Sequence, residues 1–145
     1  MTDYRLEFLA PCRINEILHL YKLIVDEKDD ELLISRFQNI FKTDYKILIA
    51  KDLKSEDVIG MVGLSYGLKV YCGKYIELHH MVILDRHRGK GIGRHMLKYI
   101  NSYACLRDVD TIILSSYNHA TDAHRLYEKN GYKLIGKHFL KVCGS

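Results

Sequence analysis

A mixed α/β fold is predicted for this chain of 145 residues, and three features of the sequence predict it. Short apolar runs of β type alternate with stretches whose apolar residues recur at helical spacing. The runs between Tyr45 and Leu84 follow one another with only short polar breaks, which suits antiparallel hairpins, whereas the later ones are separated by helices, which suits a parallel pair. A charged, glycine-rich segment, Asp85–Gly93, joins an apolar strand to an amphipathic helix. The expected order is β-α-α-β-β-β-α-β-α-β, in a single domain over residues 1–145.

Each element has its own signal. Tyr4–Leu9 alternates as a first strand. Ile14, Ile17, Leu18, Tyr21, Ile24 and Val25 form one face of a helix, and Leu32, Leu33, Phe37, Ile40 and Phe41 form that of a second. The acidic stretch Asp26–Glu31 separates them. Tyr45–Ala50 reads as a short strand, Asp52–Asp57 as a polar turn, and Val58–Tyr71 as a strand in which Gly60, Gly63 and Gly67 suggest bulges or bends. Gly73 marks a turn before the strand Tyr75–Leu84. After the glycine loop, Ile92, Met96, Leu97, Ile100 and Ala104 make a helical stripe. Thr111–Leu114 is a strand of buried type, and Thr121–Lys129 a short helix with Thr121 as its cap and Asn130-Gly131 as its end. Tyr132–Val142 is expected to form a last strand or pair.

Composition narrows the class. Apolar residues make up 48% and charged residues 28%, as in globular chains. The net charge of +4 permits an anionic partner without calling for nucleic acid. The N-terminal stretch is acidic early and lacks the apolar core of a leader, and no run approaches the length that spans a bilayer. Cys12, Cys72, Cys105 and Cys143 are widely spaced with no Cys-x-x-Cys pair, which reads as reduced thiols in a cytoplasmic protein. The histidines are not arranged for metal. His79 and His80 face opposite ways on a strand, His119 and His124 are not on one helical face, and no His-Glu-x-x-His occurs.

The chemistry concentrates in Arg88-Gly89-Lys90-Gly91-Ile92-Gly93. The glycines let the backbone approach a ligand closely and present successive N–H groups. A helix begins at this point, so its positive end favours a phosphate. Arg88, Lys90 and Arg94 add counter-charge, Arg in a form that clamps two phosphate oxygens. A pyrophosphate is the expected guest. Neither Gly-x-Gly-x-x-Gly nor Gly-x4-Gly-Lys-Ser/Thr is present.

The stretch Val82–Gly93 resembles the signature Arg/Gln-x-x-Gly-x-Gly/Ala loop, with its preceding strand, of the GNAT superfamily of acyl-CoA N-acyltransferases. A second stretch, Ala123-His124-Arg125-Leu126-Tyr127-Glu128-Lys129-Asn130-Gly131-Tyr132, is similar to the later Ala-x-x-x-Tyr-Glu-Lys-x-Gly-Phe/Tyr motif of that superfamily. The two together cover roughly the C-terminal half. The resemblance implies acetyl-CoA as co-substrate and transfer of its acetyl group to a primary amine by direct attack. It implies that Arg88, Gly89, Lys90, Gly91, Ile92, Gly93 and Arg94 bind the CoA pyrophosphate, mostly through backbone N–H groups. Backbone groups of Met81, Val82 and Ile83 would pair with the pantetheine arm, in a slot opened where the fourth and fifth strands splay apart. Tyr127 would donate a proton to the leaving thiolate. The sequence departs from the pattern at Ala120, where many members carry an Asn that contacts pantetheine; Asn118 stands nearby.

Acetyl transfer requires a neutral amine, a polarised thioester carbonyl and a protonated leaving group. In histone-type members a catalytic Glu occupies the strand position held here by Glu77. Strand alternation puts Glu77, His79 and Met81 on one face and His80 on the other. Glu77 is the first choice for base, directly or through a water, and His79 the second. An exposed, non-catalytic Glu77 is nearly as good a reading, and Tyr127 has a core-packing alternative. Lys129 reads as solvated. The acceptor, a small molecule or a protein amine, would be surrounded by the helices near Val25–Phe41 and the strands of Gly60–Gly73. The acidic run could attract a cationic amine but reads better as a solvated connection. Two other functions stand beside the enzyme: a catalytically silent CoA sensor, and a nucleic-acid module built on Arg86, His87, Arg88, Lys90, Arg94, His95 and Lys98. The sequence allows a homodimer without requiring one.

Overall fold

The computed structural model describes residues 3–118 and 120–144. They fall into two compact units, residues 1–114 and 115–145. The first unit holds a sheet of five strands in the order β1-β2-β3-β4-β5. These are β1 (Tyr4–Phe8), β2 (Tyr45–Asp52), β3 (Val58–Lys69), β4 (Gly73–Ile83) and β5 (Thr111–Leu114). The first four are joined antiparallel, and β5 runs parallel to β4. The parallel pair needs a crossover, and α3 (Ile92–Leu106) supplies it.

The helices cover both faces because the strands are apolar on both. On one face Ile47, Ile49, Met61 and Val82 pack against Ile14, Ile17, Leu20, Leu33 and Phe37. These come from a 3-10 helix (Pro11–Ile17), α1 (Leu18–Tyr21) and α2 (Asp30–Ile40). The single helix expected over Ile14–Val25 is thus a 3-10 turn, kinked at Arg13, that passes into one turn of α-helix. Pro11 opens it, as its fixed φ and missing N–H allow. The opposite face carries α3, whose Ile92, Met96, Leu97, Ile100 and Ala104 are all buried. Phe8, opposite Leu48, meets the rings of Tyr99 and Tyr103 there at 6.0 and 5.2 Å.

The acidic stretch is spent on local structure. Asp29 caps α2, accepting from the backbone N–H groups of Glu31 and Leu32 at 3.0 and 3.4 Å. Asp30 pairs with Lys22, and Glu27 accepts from the Asp29 N–H at 2.9 Å. Two of the three glycines expected at bulges flank register shifts: Gly60 pairs with Ala50 while Val58 pairs with Lys51, which leaves Ile59 as an extra residue of β3, and Gly63 borders the shift between β3 and β4. At Gly63 a Cβ would stand 1.9 Å from the Tyr45 hydroxyl, so hydrogen is the side chain that leaves room for the neighbouring ring.

The second unit contains α4 (Thr121–Lys129). Its N-cap is Ala120 with no side-chain hydrogen bond, not Thr121, which is already helical. Its end matches expectation. Gly131 takes φ +91, and the Tyr132 N–H returns to the Tyr127 carbonyl at 3.0 Å. The strand expected over Tyr132–Val142 does not form in the described residues. Leu134-Ile135 and Phe139-Leu140 are adjacent apolar pairs, which a strand would send to opposite faces. Here all four are exposed.

Candidate active site

Three features of the first unit converge on β4. The first is a bulge. Gly63 pairs with His79 and Met61 with Val82, so Val62 on β3 faces two residues, His80 and Met81, on β4. His80 takes φ +53 to achieve this. The bulge overturns the expected alternation. Glu77 and His79 do share a face, but Val82 follows them in place of Met81, since it opposes Met61 and joins the same core cluster. His80 turns to that side too, its ring 5.4 Å from that of Tyr21. The extra residue lies on β4, opposite the Met61–Gly63 segment of β3, and His80 there is of a residue type that tolerates the left-handed region.

The second feature is the open edge of β4. Its pairing with β5 ends at Leu78–Leu114, and His79–Ile83 continue without a β5 partner. This is the slot expected where the fourth and fifth strands part. The Leu84 N–H bonds Ile59 on β3 at 2.9 Å, so the backbone groups of Ile83 face the other edge. There the Ile83 carbonyl accepts from Arg88 Nε at 3.1 Å.

The third is the start of α3. Gly89 and Gly91 have φ +75 and +84, and an added Cβ would meet nothing within 4 Å at either. These glycines serve conformation, not packing. Gly91 is the N-cap and offers no side-chain oxygen. The first helical bond runs from the His95 N–H to Gly91, so the N–H groups of Ile92, Gly93 and Arg94 precede the helical ladder. Arg88 braces the loop, with Nη1 2.8 Å from Asp85 Oδ1 in addition to its bond to Ile83. The basic run does not form one exposed stripe. His87 is buried and its Nε2 accepts from Arg86 Nε at 3.2 Å, while His95 Nδ1 pairs with the Tyr4 hydroxyl at 2.8 Å.

Beside the bulge, between the sheet and the first helices, lies a cavity of about 220 Å³. It is lined by Tyr21 and Val25, by Leu33, Arg36, Phe37 and Ile40 of α2, and by Tyr45, His79 and His80 of the sheet. The helix pair is the one expected around an acceptor. The strand residues come from β2 and β4 and not from Gly60–Gly73. Burial, with the Tyr45 phenol beside it, raises the Tyr21 pKa well above the usual phenol value, and burial raises that of Tyr45 as well. Both phenols are therefore uncharged at neutral pH.

Glu77 does not line the cavity; His79 does. The His79 Nε2 lies 2.7 Å from Ser65 Oγ and its Nδ1 3.9 Å from Glu77 Oε2. Loss of hydration lowers the His79 pKa, and Glu77 works in the opposite direction. His80 is lowered by the same loss of hydration and by His79. A neutral imidazole is a proton acceptor, and a carboxylate beside it steadies the cation it becomes.

Tyr127 belongs to the second unit, half-buried on α4, with its ring 6.0 Å from that of Tyr132. Burial raises its pKa, so it keeps its proton at neutral pH. Lys129 ends the same helix and is exposed. His119 lies outside the described residues. No group of metal-ligating side chains converges among the described residues, whose cysteines are all free. No helix among them is long and apolar enough to cross a membrane. Tyr21, Tyr45 and His80 were not foreseen as site residues. Only the spatial meeting of α1, β2 and the bulge marks them, and no local pattern encodes it.

Comparison with known proteins places these features. Residues 43–134 match the family model described as Acetyltransferase (GNAT) domain, a match that crosses the boundary between the two units. An aminoalkylphosphonate N-acetyltransferase of Salmonella typhimurium is 28% identical over 127 residues, 85% of this chain and 82% of that protein. Human N-acetyltransferase 8B is 28% identical over 88 residues, 60% of this chain and 39% of that one. Among solved structures, glucosamine-6-phosphate N-acetyltransferase from Arabidopsis thaliana aligns over 97% of this chain and 99% of its own with a TM-score of 0.76 at 19% identity. An aminoglycoside N-acetyltransferase in complex with CoA aligns over 100% and 97% with a TM-score of 0.83 at 11% identity, a likeness of fold. The glycine-lined helix start and the parted β4 edge thus lie within a matched family region that covers more than half of the sequence, and the chain belongs to the GNAT family of acetyltransferases, which use acetyl-CoA.

Proposed function

We propose that this enzyme moves the acetyl group of acetyl-CoA to the primary amine of a small acceptor by direct attack. The observation that carries the reading is the junction at the β4 bulge. A cavity holding a neutral imidazole opens where the strand's edge becomes free, one loop before an uncapped helix start. In this reading the N–H groups from Gly89 to Arg94 hold the pyrophosphate, with Lys90 and Arg94 as counter-charges and Arg88 bracing the loop. Backbone groups of Met81, Val82 and Ile83 line the pantetheine arm. His79 takes a proton from the acceptor ammonium, and Glu77 steadies the resulting imidazolium. The freed amine lone pair attacks the thioester carbon, the C–S bond breaks as Tyr127 passes its proton to the thiolate, and the acylated nitrogen gives up its extra proton, which restores the Tyr127 phenol and leaves a neutral amide.

A cavity of about 220 Å³ lies below the usual range for drug-sized ligands and favours a compact acceptor. The Salmonella typhimurium relative is named as an N-acetyltransferase of aminoalkylphosphonates, which are small-molecule amines. The test is release of free CoA thiol from acetyl-CoA across a panel of small amines, lysine peptides and polyamines. Turnover with at least one small amine is expected. Saturable acetyl-CoA binding with no thiol release against any amine would make the chain a sensor and overturn the proposal.

A further inference from the structure

The apolar stripe of α2 contains a misfit. Leu33, Phe37 and Ile40 face the cavity at helical spacing, and Arg36 stands among them, lining the same space. Amphipathic patterning puts a cation on the opposite side of such a helix, and a local rule broken without structural compensation marks a functional position. Arg36 is exposed, at the open side of this space, and no described group answers its charge. Among the described residues Arg36 makes no ion pair, hydrogen bond or ring contact.

The remaining lining sharpens the contrast. Arg36 is the one formally charged side chain on the wall, the others being aliphatic, aromatic or imidazole. Of the carboxylates that precede it on the chain, Asp29 caps α2, Asp30 pairs with Lys22, and Glu31 does not line the cavity. A diamine or polyamine would bring a second cation to a wall that carries a positive charge and no carboxylate. An acceptor with an anionic group opposite its amine would put that group on the guanidinium fork, which binds a carboxylate or phosphonate through two parallel hydrogen bonds. The amine would then point along the cavity to His79.

We infer that Arg36 is the acceptor's anion anchor and that the enzyme selects compact primary amines bearing a carboxylate or phosphonate. The inference rests on the acetyl-transfer reading of the cavity, and the experiment separates the two. Wild type and Arg36→Gln are compared with β-alanine, 2-aminoethylphosphonate and propylamine, which share a short chain and differ in the terminal group. Wild type is expected to prefer one or both anionic amines over propylamine by at least tenfold in kcat/KM. Arg36→Gln should lower kcat/KM for the anionic amines by roughly tenfold to a hundredfold more than for propylamine, the range of a lost charge-assisted hydrogen bond, with the effect carried by KM. The carboxylate and phosphonate arms show which anion is preferred. Arg36→Glu should shift preference toward ethylenediamine. Calorimetry with propionate and ethylphosphonate, which have no amine to acetylate, reads the anchor without turnover: wild type should bind at least one of them and Arg36→Gln should not. Equal use of propylamine and the anionic amines by wild type would leave acetyl transfer intact and overturn the anchor, as would a preference that survives in Arg36→Gln. Absence of turnover with every amine would sink the transfer reading, while the calorimetry would still decide for or against the anchor.

Discussion

The carboxylate of Glu77 lies 3.9 Å from Nδ1 of His79, while Nε2 of the same ring meets Ser65 Oγ at 2.7 Å. The imidazole is thereby held between a charge that favours its protonated form and a hydroxyl that fixes its orientation. Loss of hydration outweighs the charge, and the His79 pKa stays below its ordinary value. The base form is present above that pKa, so kcat/KM should rise with pH through a limb below about 6.5. Glu77→Gln removes the opposing charge. The limb should then move to still lower pH, while the plateau falls because the imidazolium loses its partner. His79→Gln should erase the limb and cost about 10²- to 10⁴-fold. If instead the limb survives in His79→Gln and vanishes in Glu77→Gln, the carboxylate is the base.

The start of α3 gives a second expectation. Gly91 has φ +84 and open space where a Cβ would stand, so a side chain there strains the backbone without clashing. Gly91→Ala should cost about 1 kcal/mol of stability and weaken acetyl-CoA severalfold. Gly91→Glu adds a negative charge at the helix N-terminus and should abolish measurable acetyl-CoA binding, with a circular dichroism spectrum like that of wild type. Unchanged affinity of the Glu variant in calorimetry would refute the assignment of the pyrophosphate to this loop.

A third expectation follows from the contact between Gly63 and Tyr45. A Cβ at residue 63 would lie 1.9 Å from the Tyr45 hydroxyl and 2.7 Å from its ring, so Gly63→Val must displace a ring that lines the cavity alongside Tyr21. Overpacking of this kind costs about 1–3 kcal/mol. The acceptor KM should rise by more than the melting temperature alone predicts, and acetyl-CoA affinity should hold, since the glycine loop is untouched. Equal loss of both affinities would mean that the site fails as a whole and that Tyr45 shapes nothing specific to the acceptor.

These cases show which features the sequence encodes locally. Thr111–Leu114 and Thr121–Lys129 were legible because periodicity, a glycine end and polar breaks all act within a few residues. The glycine loop was legible because helix polarity and backbone freedom are local too. The cavity was not. Tyr45 meets His79 at 5.7 Å between ring centres only because β2 and β4 both flank β3, and His80 reaches Tyr21 only because one extra residue enters the β4 ladder. Register is a property of pairs of strands, and a one-residue shift re-aims every side chain after it. The same cause moved Val82 onto the face expected for Met81. Arg36 was missed for a different reason: a single cation in an amphipathic helix gains meaning only once its neighbours are seen to line a space.

The final expectation concerns Tyr127. A thiolate leaves slowly unless it is protonated as the tetrahedral intermediate collapses, so a phenol that keeps its proton and stands near the sulfur would act in the transition state. Burial raises the Tyr127 pKa, which keeps the hydroxyl intact throughout the neutral range. Its ring packs edge-on against Tyr132, and the α4 end is closed by Asn130, whose side chain donates to the Leu126 carbonyl at 2.8 Å. Tyr127→Phe preserves that ring contact and removes only the hydroxyl. Turnover should drop by roughly tenfold to a thousandfold, as for loss of a general acid, with acetyl-CoA affinity and melting temperature nearly unchanged. The loss should be smaller with an acyl donor whose thiol is more acidic, because a better leaving group depends less on the proton. A variant with full activity would show that the thiolate leaves unaided or takes its proton from another group. A melting temperature that falls in step with activity would assign the hydroxyl to the packing of α4 and not to chemistry.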